Sequence, residues 1–411
     1  MIGSLPVSIP GPPSFEVDWR AIEAEPLFRA LHGVRQDPSH HAEGDVAIHT
    51  RMVIEALLAL PAYRALGDEG RAAVFLGALL HDVGKPARTR IEDDGRITSR
   101  GHSAHGALLA RRWLYEHDVR PALREHVCAL VKWHQVPFFL IDRDDAQRLG
   151  ITVSMGARSD WLALVAEADA RGRTSATRQR IIDACELFRE HQRELGALEG
   201  PYAFASDHAR AMFFRDRDRR VPYDAYDDTW GEAVVLSGLP ASGKDTWARA
   251  HAGGLPVISL DGIREELRIH PDDDQARVRV TSMERLREHL RARRPVVWNA
   301  TNVDHERRAP ILAECFAYGA RVKLVHVEAP LAVRIARNRA RARPVPDRVM
   351  DAMLLRMASG SKIRSMRSIS WIWYWMVSRS SNSRITCSPS ASLRVRLCAI
   401  TRARNASRSI A

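Results

Sequence analysis

Two hydrophobic periods divide the chain. From about Phe15 to about Glu199, apolar positions recur at intervals of three and four. Val46, His49, Val53, Ala56, Leu57 and Leu60 trace one face of a helix. No run in this half alternates convincingly, so the pattern predicts an all-α domain over residues 15–199. From Trp230 the period changes. Short β-rich runs at 233–237, 256–260, 295–300 and 321–327 are separated by helix-like stretches. That alternation predicts an α/β domain over 231–357, with a parallel sheet and crossover helices. Residues 200–230 hold Gly200, Pro201, Pro222, an Arg/Asp cluster and three tyrosines, and read as a linker. Residues 1–14, rich in Pro, Ser and Gly, read as extended. The tail over 358–411 has neither period and reads as irregular.

The second half opens on its most specific motif. Strand-like Ala233-Val234-Val235-Leu236-Ser237 enters Gly238-Leu239-Pro240-Ala241-Ser242-Gly243-Lys244-Asp245-Thr246, and a helix leaves at Trp247. Strand, Gly-rich loop and helix in that order mark a Walker A loop. Gly238 and Gly243 let backbone N–H groups approach phosphate oxygens, and Pro240 and Ser242 complete the loop. The helix N-terminus adds partial positive charge, and Lys244 reaches the outer phosphates. The ligands implied are ATP or another NTP with Mg²⁺. A hydroxyl usually follows the lysine; here it is Asp245 and then Thr246. Either Asp245 meets the ion or its waters, or Thr246 substitutes.

Charge changes the picture little. The 411 residues carry a formal +12, which suggests nucleic acid. After Asp351, however, there is no acidic residue, and ten arginines and Lys362 lie there, so the rest of the chain is close to neutral. The tail also carries Trp371-Ile372-Trp373-Tyr374-Trp375. It reads either as a basic RNA-binding arm with stacking aromatics or, the favoured reading, as a C-terminus translated out of frame. Cys128, Cys185, Cys315, Cys387 and Cys398 show no CxxC spacing, which fits a reducing cytoplasm. No basic and apolar leader opens the chain, and no apolar run is long enough to span a bilayer, so no membrane association is expected.

The helical half carries a histidine/aspartate constellation. His81-Asp82 follows the apolar stretch 73–80, and Lys85 lies one turn on. His49 precedes it; His102 and His105 follow in Gly101-His102-Ser103-Ala104-His105-Gly106. His134 shares the face of Val127, Leu130 and Val131, and Asp169 that of Leu162 and Val165. A carboxylate on a buried face needs a partner or a metal. Imidazoles and carboxylates converging from several helices suit a divalent transition metal. The set His49, His81-Asp82 and Asp169 resembles the H…HD…D signature of the HD phosphohydrolase superfamily. The stretch Ala168-Asp169-Ala170-Arg171-Gly172-Arg173 is similar to the HD domain of bacterial tRNA nucleotidyltransferases. The resemblance implies a metal-activated water attacking a phosphoester. His102 and His134 stand where dimetal members supply extra histidines, so one or two ions such as Mn, Fe, Co or Ni are implied. Lys85, with Arg171 or Arg173, is a candidate phosphate ligand, and His41 a further candidate.

The second half has an acceptor side as well. Val257-Ile258-Ser259-Leu260 leads to Asp261. A carboxylate at the C-terminal end of a parallel strand points into the ligand crevice, where it can take the proton of an attacking hydroxyl. Arg264, three residues on, faces the same side and can clamp an acceptor phosphate. Val296 to Asn302 is a third strand ending in polar residues. A long helix then carries Arg337-Asn338-Arg339-Ala340-Arg341-Ala342-Arg343 up to Pro344 and has the look of a lid. Together, G-x-P-x-S-G-K-x-T-W, D-x-x-R, T-N and R-N-x-x-R before V-P resemble the 5′-hydroxyl polynucleotide kinase family over about 233–350. The resemblance implies that Lys244 binds donor phosphates, Asp261 is the general base, Arg264 contacts the acceptor phosphate and Arg341 is the lid arginine. Asp245, and Asn299-Ala300 where an aspartate often stands, depart from it.

In this order the two halves resemble the bacterial HD-Pnk end-healing enzymes. The resemblance implies hydrolysis of 2′,3′-cyclic phosphate or 2′-phosphate ends by the HD half and phosphorylation of 5′-hydroxyl RNA or DNA ends by the kinase half. A separate ligase would do the sealing. Two other readings remain at this point: a small-molecule or nucleotide kinase joined to a nucleotide-hydrolysing HD domain, and a non-enzymatic RNA-binding protein with a P-loop switch.

Overall fold

The computed structural model describes residues 4–216, 218–219, 221–357 and 370–375. Its first part is helical: α1 (Trp19–Ala24), α2 (Pro26–Arg29), α3 (Val46–Ala59), α4 (Pro61–Arg64), α5 (Asp68–Leu80), α6 (His102–Glu116), α7 (Pro121–Trp133), α8 (Ala146–Ser154), α9 (Ser159–Arg171) and α10 (Arg178–Glu194). The Asp45 carboxylate caps α3 by accepting from Ile48 N–H at 2.9 Å. Val46, His49, Thr50, Val53, Ile54 and Leu57 then form its buried face. Every residue of α5 from Ala72 to Leu80 is buried, so this helix is the core that α3, α7 and α9 pack around. A helix enclosed on all sides is apolar all round, which explains why 72–80 reads as a continuous run.

Two expectations for this region need correction. A small antiparallel hairpin, β1 (Arg90–Ile91) with β2 (Ile97–Thr98), interrupts the helices. Its signal is Asp94-Gly95, a hairpin dipeptide in which Gly95 has a φ of 81°. The stretch read as a linker contains α11 (Asp207–Arg215), capped by Ser206, whose hydroxyl accepts from Ala209 N–H at 2.9 Å. Phe213 and Phe214 of α11 bury against Ile151 of α8, so this segment is packed onto the helical domain.

The second part is an α/β unit. It comprises β3 (Glu232–Ser237), α12 (Lys244–His251), β4 (Val257–Ser259), α13 (Leu260–Leu267), α14 (Ala276–Arg291), β5 (Val296–Asn299), α15 (His305–Ala317), β6 (Arg321–Glu328), α16 (Leu331–Arg339), α17 (Asp347–Arg356) and β7 (Ser370–Trp375). Among the described residues the strands lie in the order β4-β5-β3-β6-β7, all parallel. The central strand β3 is buried from Ala233 to Ser237 because helices cover both faces. Within the tail, the aromatic cluster 370–375 is the strand β7 beside β6. The remainder of the tail, including any RNA-binding role for it, lies outside the described residues.

Candidate functional site

The helical domain gathers its imidazoles at helix ends. His81 follows α5, His102 opens α6 and His134 follows α7. Each donates its Nδ1–H to a backbone carbonyl three residues earlier: His81 to Ala78 at 2.7 Å, His102 to Ser99 at 2.8 Å and His134 to Val131 at 2.7 Å. That bond sets the tautomer and leaves the Nε2 lone pair facing inward. His49, within α3, differs: Glu43 Oε1 lies 2.8 Å from its Nδ1 without a well-directed hydrogen bond, and the ring bonds through Nε2 to Asp169. Close approach of the elements depends on Gly84, where a Cβ would meet the His102 carbonyl oxygen at 2.1 Å.

The inward atoms converge. His49 Nε2 is 3.1 Å from Asp169 Oδ1, and His81 Nε2 is 3.1 Å from Asp82 Oδ2. His102 Nε2 is 3.2 Å from Asp82 Oδ1 and 3.5 Å from His134 Nε2. Two groups result, His49–His81–Asp169 and Asp82–His102–His134, each with ligand atoms within 4.8 Å of one another. All six residues are buried. Both Asp82 oxygens and His81 Nε2 make no well-directed hydrogen bond despite these short distances. Buried polar atoms that face one another without bonding are what a cation-binding centre requires. The donor set of imidazole and carboxylate suits a divalent transition metal.

Electrostatics hold the two carboxylates ionised; burial works to lower His81, and Asp82 and Asp169 outweigh it and raise it. Burial alone would raise Asp82; His81 and Lys85 outweigh it and hold its carboxyl well below the usual carboxylate range. Burial likewise opposes ionisation of Asp169, and Arg173 and His49 overcome it. His134 is pushed down to about 3 by burial, with His81 and His102 adding to the effect. A neutral imidazole is the form that binds metal.

The candidate phosphate ligands separate. Lys85 Nζ lies 2.7 Å from Asp82 Oδ2 and donates to Gln36 Oε1 at 2.6 Å. An ammonium has three donors, more than the Gln36 bond uses. Arg173 grips Asp169 through Nε and Nη2 at 3.0 and 2.8 Å. Arg171 points elsewhere, to Glu167 at 2.8 Å. His105 joins neither group of ligand atoms. His41 lies beside the cluster, with Nδ1 2.8 Å from Glu43 Oε1. Glu43 and Gln36 escaped the sequence reading. The spacing His41-x-Glu43 ahead of His49 is a signal for the first; Gln36 has none, because only the fold brings it to Lys85.

The second site lies at the C-terminal edge of the sheet. Gly238 has a φ of 153°, and a Cβ there would meet the Val327 carbonyl oxygen at 2.2 Å, so the loop turns against β6 only with glycine. Gly243 caps α12 with a φ of 102°. Lys244 Nζ folds back onto the loop, donating to the carbonyls of Gly238 at 2.9 Å and Leu239 at 3.0 Å. Burial lowers its pKa to about 8; Asp245 and Asp261 act against this and Arg341 with it. Ser242 is buried; Asp245 and Thr246 are exposed at the start of α12. Asp245 Oδ1 accepts from Asn299 Nδ2 at 2.6 Å, so the asparagine that departs from the family pattern touches the aspartate that also departs. Thr246 Oγ1 accepts from Arg249 at 3.3 Å. Asn302 braces the loop from below, donating to Leu236 O at 3.0 Å.

Two placements differ from expectation. Strand β4 stops at Ser259, and Asp261 lies in the first turn of α13. Ser259 is the cap, accepting from Gly262 N–H at 3.3 Å, so the Asp261 side chain is free of that duty and 70% exposed. It pairs with Arg264, whose Nε donates to Gln275 at 2.7 Å. The arginine-rich segment is not one long helix: α16 ends at Arg339, and Arg341 and Arg343 are exposed in the loop before α17. Asn338 closes that loop, donating to Val345 O at 2.8 Å and accepting from Val345 N–H at 3.1 Å.

Comparison with known proteins divides the chain in the same way. Residues 46–197 match the HD domain family, and residues 234–359 match an AAA domain family. The chain is similar to the Multifunctional CCA protein of Halorhodospira halophila, 39% identical over 26% of this chain and 24% of that protein. It is also similar to that of Xanthomonas oryzae pv. oryzae, 33% identical over 43% of this chain and 44% of that protein. The chain thus spans less than half the length of these curated relatives. A gluconokinase from Sinorhizobium meliloti is 19% identical over 35% of this chain and 83% of its own, with a TM-score of 0.26. The chain joins a helical domain that matches the HD domain family to an α/β domain with a parallel sheet that matches an AAA domain family. Among the described residues, no helix is long and apolar enough to cross a membrane.

Proposed function

We propose that this protein heals broken nucleic-acid ends with two active sites. The helical domain would hydrolyse a 2′,3′-cyclic phosphate or a 2′-phosphate. The P-loop domain would transfer the γ-phosphate of ATP or another NTP to a 5′-hydroxyl end of RNA or DNA. A separate ligase would seal the healed ends. The observation that supports the kinase reading is the glycine-dependent loop before α12: Gly238 turns against β6, Gly243 caps the helix, and Asn299 at the end of β5 donates to Asp245.

In the helical domain, His49, His81, Asp82 and Asp169, with His102 and His134, would hold one or two divalent ions such as Mn, Fe, Co or Ni. When bound, such an ion supplies a water acidic enough to ionise near neutral pH. The chain's own contribution is to direct each Nε2 inward and to keep the carboxylates ionised. Lys85 would hold a phosphate oxygen beside Asp82. In the kinase domain, the loop amides and Lys244 would bind the donor phosphates, with Asp245 and Asn299 supplying oxygen ligands toward Mg²⁺ or its waters. The 5′-oxygen attacks the γ-phosphorus and its proton passes to Asp261. The nucleoside diphosphate leaves with its charge held by Lys244, while Arg341 meets the charge on the transferred group. Arg264, beside Asp261, would clamp the acceptor's phosphate.

The test is transfer of label from γ-labelled NTP to a 5′-hydroxyl oligonucleotide, alongside phosphate release from a 2′-phosphate end. Asp82→Ala should abolish release and spare transfer. Asp261→Asn should lower transfer by roughly 10²–10⁴-fold, the range of general-base catalysis, with nucleotide affinity nearly unchanged. An unlabelled oligonucleotide beside a labelled small acceptor, or wild-type transfer by Asp261→Asn, refutes the assignment.

A further inference from the structure

The two domains share a buried seam that ends at the transfer site. Tyr115, on α6 of the helical domain, is 1% exposed. Its hydroxyl donates to the Ala329 carbonyl at 2.9 Å, just beyond β6, and accepts from Arg334 Nε at 3.1 Å. Arg334 is buried on α16, the helix that runs into the loop carrying Arg341. The Tyr115 ring packs in one apolar cluster with Leu239 of the P-loop, Val303 beyond β5, and Leu354 and Met357 at the end of α17, with Leu331 of α16 against it. Arg111, also on α6, donates to the Met357 carbonyl at 3.0 Å.

We infer that Tyr115 of the helical domain is a positioning residue for phosphoryl transfer, holding the lid helix α16 and the P-loop in register. The inference rests on the kinase reading of the second domain. The physical reason is direct. A buried guanidinium needs a partner, and for Arg334 the Tyr115 hydroxyl is that partner. The same hydroxyl ties the end of β6, so lid helix and sheet are pinned to one oxygen. The ring packs in the same apolar cluster as Leu239 of the loop. Transfer depends steeply on alignment, and about 1 Å of misplacement costs roughly 10²-fold. Tyr115→Phe keeps the ring against Leu239, so the donor-binding loop keeps its apolar support. The seam therefore acts on turnover more than on nucleotide affinity.

Tyr115→Phe in the full chain removes the hydroxyl and keeps the ring. The expected result is a fall in kcat for 5′-hydroxyl transfer of about 10–100-fold. The nucleotide KM should change by less than about threefold, and phosphate release from a 2′-phosphate end should be unchanged. Hydrogen exchange gives a readout free of chemistry: amides of 331–346 should exchange about tenfold faster in the variant, with those of α3 and α9 unaffected. Arg334→Met, made from the kinase side, should reproduce both effects. Wild-type kcat, unchanged exchange over 331–346, or an equal loss of both activities would each overturn the inference. If the wild-type protein labels no oligonucleotide while exchange still responds to Tyr115→Phe, the anchoring stands and the kinase reading falls.

Discussion

Glu328 is the position where the docking of the two domains can be weighed. Its carboxylate, at the end of β6, accepts from Arg124 of α7 in a bidentate pair, Nη1 to Oε1 at 2.8 Å and Nη2 to Oε2 at 2.7 Å. The side chains are 3% and 0% exposed. Burial works against the charge of Glu328, but Arg124 and His326 outweigh it and lower its pKa from 4.5 to about 2. The sign follows: a depressed carboxyl contributes stability that is complete above the unfolded value and lost as pH falls through the folded one. That displacement corresponds to ~3 kcal/mol. Removing one partner of a buried pair costs about 3–5 kcal/mol. Glu125 remains 3.3 Å from Arg124 Nε, which keeps the expected loss for Glu328→Leu near the lower end, ~3 kcal/mol. The loss falls on domain docking. Urea unfolding of the variant should therefore split into two transitions where the wild type shows one. Its stability should also fall less steeply between pH 4.5 and 2, the span of the Glu328 displacement. The double variant Arg124→Met/Glu328→Leu should recover to within ~1 kcal/mol of wild type, because apolar residues of similar volume replace buried pairs well. An unchanged midpoint for Glu328→Leu, or a double variant no better than the single, would refute a docking role for the charge.

Further outcomes are expected at Lys244 and at Glu43. Burial lowers Lys244 from 10.5 to about 8, whereas bound phosphates favour the ammonium. Nucleotide binding above about pH 8 should thus take up a proton and weaken as pH rises, which calorimetry in two buffers of different ionisation heat would detect; no uptake near pH 9 refutes the assignment. In the free protein, the same group should make stability rise with pH between the folded and unfolded values, since there the unfolded chain holds the extra proton. Glu43→Ala removes the carboxylate 2.8 Å from His49 Nδ1 and should weaken metal binding by about 10–100-fold in a chelator competition. Glu43→Gln should lose less, because an amide oxygen still faces that nitrogen, and equal metal affinity in the Ala variant would sink the role.

The sequence by itself determined the two halves and their order, because hydrophobic period is a local property. Three and four repeats along 46–60 can only bury as a helix, and β-rich runs between helical stretches can only pair as a parallel sheet. It also determined the P-loop, since Gly238, Gly243 and Lys244 act within one turn of chain. His49, His81, Asp82, His134 and Asp169 were picked out for the same reason, each lying on or beside an apolar helix face, whereas His102 was picked out by the family resemblance. What depended on distance was not. That α16 would stop at Arg339, that Asp261 would lie inside α13, and that residues 207–215 would fold back onto α8 followed from packing between elements. Only the tertiary structure brought Glu43 to His49 across a loop and Gln36 to Lys85. It alone joined the two domains through Tyr115–Arg334 and Arg124–Glu328. These pairs lie more than 200 residues apart in sequence. A buried charge is stable only where a partner meets it, and no local pattern records which partner a distant strand or helix will present.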